Sequence, residues 1–156
     1  MRALVRFAAL AVMLVAFPLI SSAQAPPGLV GTWKQNVAKS TYTTGAAPKS
    51  QTARYEAVPG GGLKIVGDIV DAAGKATHTE LVTMLDGKEA ERKGAEQPTT
   101  RAYTRIDDRT IQYVQRVNGK VTQTSRQTMS ADGKTRTNVN TDAAGKPIST
   151  TVFERQ

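Results

Sequence analysis

Apolar and polar side chains alternate over most of the chain after residue 25, which is the pattern of strands that turn one face inward. In the segment LKIVGDIV (63–70), Leu63, Ile65 and Ile69 share one face, and the same two-residue period recurs in TIQYVQRV (110–117). No segment in this part of the chain keeps the 3.6-residue period of a helix. The pattern therefore predicts an all-β protein.

Short turns separate the predicted strands at intervals that are typical of a sandwich or a barrel. Five Gly-Lys pairs stand in the sequences DAAGK, LDGK, VNGK, ADGK and DAAGK. Asn-Gly and Asp-Gly favour type I′ hairpin turns, in which both central residues take positive φ. None of the pairs has the GxxxxGK[ST] spacing of a phosphate-binding loop, so we interpret them as turns. The predicted strands are residues 29–38, 51–58, 63–70, 76–84, 88–93, 100–106, 110–117, 120–129, 134–141 and 147–155.

The number of predicted strands decides whether the sheet can close on itself. In an up-and-down meander the first and last strands pair antiparallel when the number is even, so ten strands close into a β-barrel. The weakest of the ten is the charged segment KEAERK (88–93), and closure depends on it. Residues 26–156 contain 20 threonines and only 21 Leu, Ile, Val and Phe residues together. Such a small core is sufficient when backbone pairing leaves few free edges, which favours the barrel.

The first 25 residues have the features of a cleaved secretory signal peptide. Arg2 and Arg6 precede the apolar run FAALAVMLVAFPLI (7–20), and Ala23-Gln24-Ala25 matches an A-x-A cleavage site. A run of 14 residues is shorter than the roughly 20 that cross a bilayer as a helix. We therefore expect an exported, periplasmic or extracellular protein, with one domain (26–156) and no transmembrane span. The chain has no cysteine, which excludes disulfides, thiolate metal sites and lipid attachment through cysteine.

Few residues offer catalytic chemistry. The formal charge of +8 falls to +6 without the two leader arginines, and the basic residues are dispersed among few aromatic ones, so we expect no nucleic-acid partner. His78 is the only histidine, and it has neither a G-x-S-x-G serine nor a second nitrogen ligand for zinc. Asp68 and Glu80 are opposite each other in one register of their hairpin, which is the one candidate acid–base pair. We expect a monomer that is not an enzyme and binds no metal or cofactor.

The motif Gly31-Thr32-Trp33 on the first predicted strand, followed by a meander of about 130 residues, resembles the calycin superfamily of lipocalins and fatty-acid-binding proteins. The resemblance implies that Trp33 closes the barrel floor and that an arginine of the last strand, Arg155, packs across it. The GTWK-x-N start, with APKSQT and ADGKT, also resembles a group of uncharacterised exported bacterial proteins. The segment 37–50 is too rich in Thr, Gly and Pro for the helical lid of fatty-acid-binding proteins.

The function predicted from these observations is non-catalytic binding of a small apolar or amphipathic molecule inside the barrel. Fatty-acid-binding proteins hold a carboxylate with interior Arg and Tyr, so the resemblance implies that the ligand is an amphipathic anion. The candidate polar lining is Tyr103, Arg105, Tyr113 and Arg126. The candidate apolar wall is Leu63, Ile65, Leu81 and Ile111. Two alternatives stay open: the arginines point outward, or the barrel is filled and serves as an envelope-associated interaction module.

Overall fold

A computed structural model gives the fold of the chain and describes residues 24–156. The signal peptide predicted for residues 1–25 therefore lies almost wholly outside the described residues. A single 3-10 turn, Pro27–Leu29, precedes ten strands. None of the helical structure described is long and apolar enough to cross a membrane. The strands are β1 (Gly31–Tyr42), β2 (Ser50–Ala57), β3 (Leu63–Val70), β4 (Ala76–Thr83), β5 (Asp86–Glu91), β6 (Thr99–Arg105), β7 (Thr110–Val117), β8 (Lys120–Met129), β9 (Thr135–Asp142) and β10 (Pro147–Arg155).

The ten strands form one antiparallel sheet in the order β4-β3-β2-β1-β10-β9-β8-β7-β6-β5. Every sequential pair except β4 and β5 is therefore adjacent in an extended ladder, and the first strand pairs with the last. In that β1–β10 ladder Trp33 is opposite Arg155 and Gln35 is opposite Phe153. The predicted all-β, up-and-down barrel of ten strands is confirmed, and so is the pairing of the two chain ends.

The barrel is nearly closed, with a seam between β4 and β5. A single residue pair bridges the seam: the Glu80 amide donates to the Lys93 carbonyl at 3.1 Å, and the Lys93 amide donates to the Glu80 carbonyl at 2.8 Å. The charged segment on which closure depends does form β5, and it pairs with β6 from Glu89 to Glu91. Exposed charged side chains on this edge are compatible with an unpaired backbone and discourage pairing with other molecules.

The hairpin turns differ in how they use positive φ. Asn118 and Gly119 both take it (49° and 76°), as a type I′ turn requires. At Asp132-Gly133 only the glycine does, so the type I′ prediction is wrong there. The Asp132 carboxylate instead accepts hydrogen bonds from the Lys134 amide at 3.0 Å and the Ser130 hydroxyl at 2.5 Å. The side chain thus stabilises a longer loop. The Asp86-Gly87 turn is also not type I′, because Leu85 rather than Asp86 has positive φ.

The inward side chains change from apolar to polar along the barrel axis. On β10 the inward series ends with Phe153 near the Trp33 end, whereas Ser149 lies near the opposite end. On β8 the inward side chains change in the same direction, from Met129 at the Trp33 end to Gln123 at the opposite end. The apolar core is thus concentrated at one end. Its largest buried side chains are Trp33, Tyr55, Tyr103, Phe153, Leu29, Leu63, Leu85 and Ile111.

Candidate functional site

Trp33 and Arg155 meet at the apolar end of the barrel. The Trp33 side chain is fully buried, and its indole Nε1 donates to the Leu29 carbonyl at 2.8 Å. The Arg155 guanidinium carbon lies 4.5 Å from the centroid of the indole ring, within cation–π range. Arg155 also donates to the carbonyls of Val30 at 2.8 Å and Gly133 at 2.9 Å. This arrangement matches the floor that the calycin resemblance implies.

A second arginine, Arg136, is buried just above the floor. It is 1% exposed, and its guanidinium carbon lies 4.4 Å from the Phe153 ring, 4.7 Å from the Tyr55 ring and 5.4 Å from the Trp33 ring. Its Nη1 donates to Gln127 Oε1 at 3.5 Å, and its Nε has no hydrogen-bond partner within residues 24–156. The aromatic faces compensate part of the desolvation of this cation.

An open cavity of about 360 Å³ occupies the end of the barrel that is remote from Trp33. It lies above the aromatic floor, and Phe153 forms part of its base. The loop 43–49 and the turn 71–75 surround its mouth. The interior is therefore not completely filled by side chains. The inward residues that line the cavity are Gln51, Ile69, Arg92, Arg101, Tyr113, Gln115, Gln123, Asn138, Asn140, Ser149, Thr151 and Phe153.

Arg101, on β6, is the most highly connected cation of the cavity. Its guanidinium carbon lies 4.3 Å from the centroid of the Tyr113 ring. Its Nε donates to Gln115 Oε1 at 2.9 Å, and its Nη1 donates to the Tyr103 hydroxyl at 3.4 Å. These contacts come from β6 and β7 and hold the guanidinium against the wall. All of its partners are neutral, because burial raises the pKa of the Tyr103 phenol and keeps it protonated at physiological pH.

Arg92 follows β5 and supplies a second cation to the same cavity. Its backbone amide donates to the Thr99 carbonyl at 2.9 Å, which places its side chain at the end of the β5–β6 ladder. Burial, and then the charge of Arg101, lower the pKa of Arg92 to about 10. Both guanidinium groups are therefore charged at neutral pH. Neither forms an ion pair with a carboxylate anywhere in the described part of the chain.

A belt of neutral hydrogen-bonding groups faces the two arginines across β7 to β10. Gln123 Nε2 donates to the Tyr113 hydroxyl at 3.0 Å and to Asn140 Oδ1 at 3.1 Å. Asn140 Nδ2 in turn donates to Ser149 Oγ at 2.9 Å. Asn138, which is 7% exposed, has an Oδ1 without a partner among the described residues. The cavity thus offers fixed polar groups beside a net positive charge, and Asp71 at its exposed rim is the one acidic residue of the described lining.

The residues predicted for the polar lining are divided by the structure. Tyr113 lines the cavity, and Tyr103 lies directly below it with the two ring centroids 5.0 Å apart. Arg105 points toward the floor end, where its Nη1 donates to the Gln24 carbonyl at 2.7 Å and its Nη2 pairs with Asp108. Arg126 is exposed and does not line the interior, because Ser125 and Gln127 take the inward positions of β8. The four predicted wall residues, Leu63, Ile65, Leu81 and Ile111, are all buried in the core.

Arg92, Arg101 and Arg136 are functional candidates that the four predicted lining residues did not include. Arg92 lies in KEAERK (88–93), the weakest of the predicted strands, so the sequence did not show whether its side chain points into the barrel. Arg136 lies in TRTNVN (135–140), where threonine and asparagine fill both faces and the alternation is weak. The inward residues of this strand are Arg136, Asn138 and Asn140. No hydrophobic signal in the sequence marks that face.

The candidate acid–base group lies outside the barrel. Asp68 is opposite His78 in the β3–β4 ladder, not opposite Glu80, so the register proposed for that carboxylate pair is wrong. His78 Nδ1 lies 2.7 Å from Asp68 Oδ1, and His78 Nε2 lies 3.5 Å from Glu80 Oε1. The three side chains are 41 to 62% exposed. Over residues 24–156, no three His, Asp or Glu side chains are grouped to hold a metal ion.

Comparisons with known proteins identify the fold. No protein-family model matches the chain, and no curated protein matches it in sequence. The solved structure of the wild-type fluorescent protein UnaG is similar, with a TM-score of 0.54 at 18% identity over 82% of this chain and 97% of UnaG. A variant of UnaG with an asparagine changed to alanine has a TM-score of 0.56 at 17% identity, over 83% and 96% of the two chains.

At this level of identity the likeness extends to the fold alone. The resemblance of the GTWK start to exported bacterial proteins stays a prediction. The ten-stranded meander, the pairing of its two ends and the similarity to UnaG agree on one architecture. Residues 24–156 form a nearly closed, ten-stranded antiparallel β-barrel with a fold similar to that of UnaG.

Proposed function

We propose that this protein is an exported, non-catalytic carrier of a small amphipathic anion, which it holds inside the barrel. The observation that carries the proposal is the pair Arg92 and Arg101 in an open cavity of about 360 Å³ without a carboxylate partner among the described residues. Like charges in a partly desolvated site repel each other, so an anionic ligand between them lowers the free energy of the site. The carboxylate, sulfonate or phosphate of such a ligand accepts hydrogen bonds from the guanidinium forks.

The walls of the cavity suggest the rest of the ligand. Phe153 provides apolar surface at the base and Ile69 provides it nearer the mouth, whereas Gln123, Asn140 and Ser149 provide amide and hydroxyl groups. A ligand with an apolar body and several polar substituents satisfies both kinds of surface. Asn138 Oδ1, buried and without a partner within residues 24–156, is positioned to accept one further hydrogen bond. A plain alkane chain leaves these polar groups unsatisfied, which disfavours it.

Two further observations support a binding role without catalysis. The fatty-acid-binding-protein-like fold is built around an interior cavity, although a fold alone does not determine a function. The one cluster with acid–base character, His78 with Asp68 and Glu80, lies on the outer face and not in the cavity.

Export is proposed from the leader sequence, and fractionation of cells that express the full chain tests it directly.

The charge requirement is tested with two dyes that share a ring system. Anilinonaphthalene sulfonate carries a sulfonate, and N-phenylnaphthylamine lacks it. We expect the anionic dye to bind at least about tenfold more tightly, which corresponds to about 1.4 kcal/mol. The double variant Arg92→Met/Arg101→Met loses this preference, and Arg126→Met, which removes an exposed arginine of the outer face, keeps it. Fluorescence titration measures both affinities.

Equal binding of the two dyes, or an unchanged preference in the double variant, contradicts the anion site.

Native mass spectrometry of protein recovered from its own compartment tests the carrier role separately. A co-purified small molecule supports it. An empty protein that also binds neither dye contradicts any carrier role and favours the filled-barrel interaction module.

A further inference from the structure

The N-terminal end of the described chain is built into the floor end of the barrel. Pro26 is almost completely buried, and Ala25 is 7% exposed and belongs to the hydrophobic core. The 3-10 turn Pro27–Leu29 follows directly and leads to the Leu29 carbonyl, which accepts the Trp33 indole hydrogen bond. The segment from Gln24 to Pro26, here called the N-terminal strap, therefore lies against the same floor as Trp33.

Two hydrogen bonds hold the backbone of the strap. The Ala25 amide donates to the Gly61 carbonyl at 2.8 Å. Arg105 Nη1 donates to the Gln24 carbonyl at 2.7 Å. The Arg105 side chain points inward, but it does not line the ligand cavity. The strap passes very near Gly61: a Cβ at that position would lie 3.3 Å from the Gln24 Cα, and Gly61 has a φ of 90°. A residue without a side chain is therefore required there.

We propose that the leader is removed after Ala23, so that the exported chain begins at Gln24 and retains the strap. This inference rests on the export that is part of the proposed function. It differs from the sequence prediction, in which Ala23-Gln24-Ala25 is the cleavage motif and the chain begins near Pro26. Cleavage after Ala23 uses Ser21 and Ala23 as the small residues at the third and first positions before the cut, which also fits the small-residue pattern of such sites.

The chemistry of the new amino terminus separates the two sites. Cleavage after Ala25 places a charged secondary ammonium on Pro26, whose side chain is almost completely buried, and it removes the Ala25–Gly61 hydrogen bond. A buried charge without a partner is strongly unfavourable. Cleavage after Ala23 places the ammonium on Gln24, which is exposed to solvent. The mature fold therefore tolerates the second terminus and not the first.

The test is the intact mass of the protein after export of the full chain from a bacterial host. The mass of residues 24–156 supports the inference. So does the same chain one ammonia lighter, because the free Gln24 amine can attack its own side-chain amide, forming a lactam C–N bond and releasing NH₃. The mass of residues 26–156 overturns the inference and leaves both export and the ligand site standing. An unprocessed chain inside the cell overturns the inference and export together, and the dye titration on purified protein still tests the carrier role.

Two leader variants and two truncated chains provide the controls. Ala23→Leu places a large residue next to the proposed cut and blocks processing there, whereas Ala25→Leu leaves that processing unchanged. Loss of processing in Ala25→Leu, or normal processing in Ala23→Leu, overturns the inference. Chains purified with their first native residue at 24 or at 26 are then compared by thermal unfolding. We expect the chain that begins at Pro26 to melt several degrees lower, and equal melting temperatures contradict the structural role of the strap.

Discussion

The Arg155 guanidinium lies 4.5 Å from the centroid of the Trp33 ring, although Trp33 lies near the start of the first strand and Arg155 ends the last. The two are directly opposite each other in the β1–β10 ladder. Arg155 also donates to the carbonyl of Val30, just before β1, and to the carbonyl of Gly133, in the turn between β8 and β9. One cation therefore connects the closure of the barrel to the packing of its floor.

Trp33→Ala should destabilise the fold strongly. The side chain is fully buried, so its removal leaves a cavity beneath Arg136 and Arg155, and we expect a loss of about 3 to 5 kcal/mol in the free energy of unfolding. Val139→Ala, at an outward position that is 44% exposed, is the control and should change this quantity by less than about 0.5 kcal/mol. Urea denaturation measures both. Similar effects of the two substitutions rule out the floor role of Trp33.

Arg155→Met should cost more than the removal of another arginine from the barrel. It breaks charge-assisted hydrogen bonds to the Val30 and Gly133 carbonyls as well as the cation–π contact, and we expect a loss of about 1.5 to 3 kcal/mol. Arg126→Met provides a control at an exposed position of β8. If both variants unfold at the same denaturant concentration, the floor contact contributes nothing measurable.

Arg101→Met should separate binding from stability. The substitution removes a cation that has only neutral partners within residues 24–156, so the free energy of unfolding is expected to stay within about 1 kcal/mol or to rise. The affinity for the anionic dye should fall about tenfold or more. Unfolding and titration of the same preparation give both values. A large loss of stability with unchanged affinity assigns Arg101 to the fold and not to the site.

The seam between β4 and β5 should be visible in amide hydrogen exchange. The amides of His78, Glu80 and Val82 point toward β5, and of these only the Glu80 amide has a partner across the seam, the Lys93 carbonyl. We expect His78 and Val82 to exchange roughly tenfold faster, or more, than Glu80. NMR-detected exchange provides the measurement, and Gln35 on the paired strand β1 provides a protected reference. Uniform protection along β4 means that the barrel is fully closed in solution.

His78 should titrate above its ordinary pKa of 6.5. Hydrogen bonds to Asp68, and then to Glu80, raise the pKa because they favour the imidazolium; Lys64, which pairs with Glu80 at 3.3 Å, is the other charge nearby. Since the folded pKa is raised, the stabilisation is fully present below the unfolded value and is lost as pH rises through the folded value. The one histidine gives a single resolved NMR titration. Asp68→Asn should lower the measured pKa, and an unchanged value excludes the pairing.

Much of this fold follows from local sequence. The two-residue period and the turn sequences predict the ten strands to within about two residues at most ends, because side-chain alternation and turn formation are properties of neighbouring residues. The even number of strands predicts that β1 meets β10. The seam between β4 and β5 could not be predicted in this way. Whether these two strands pair depends on the path of the loop around Leu85 and on contacts between strand edges that carry charged side chains.

The candidate site was predicted only in part, and the reason is register. Tyr113 shares a face with Ile111 on a strand with clear alternation, so its inward orientation follows from the pattern. Arg126 was placed inside although its neighbours Ser125 and Gln127 occupy the inward positions, because polar residues on both faces of β8 give no signal for orientation. Arg105 does point inward, but its partner at Gln24 lies far away in the sequence.

By itself the sequence determined the ten strands and the pairing of the first with the last, since these depend on side-chain alternation, turn sequences and strand parity. The Trp33–Arg155 contact was implied only by the resemblance to calycins. Tertiary structure decided which arginines face the cavity, where the sheet stays open and how the N-terminal strap is held. Those features depend on contacts between segments that are distant in the chain, and a shift of one residue in register exchanges the inner face for the outer.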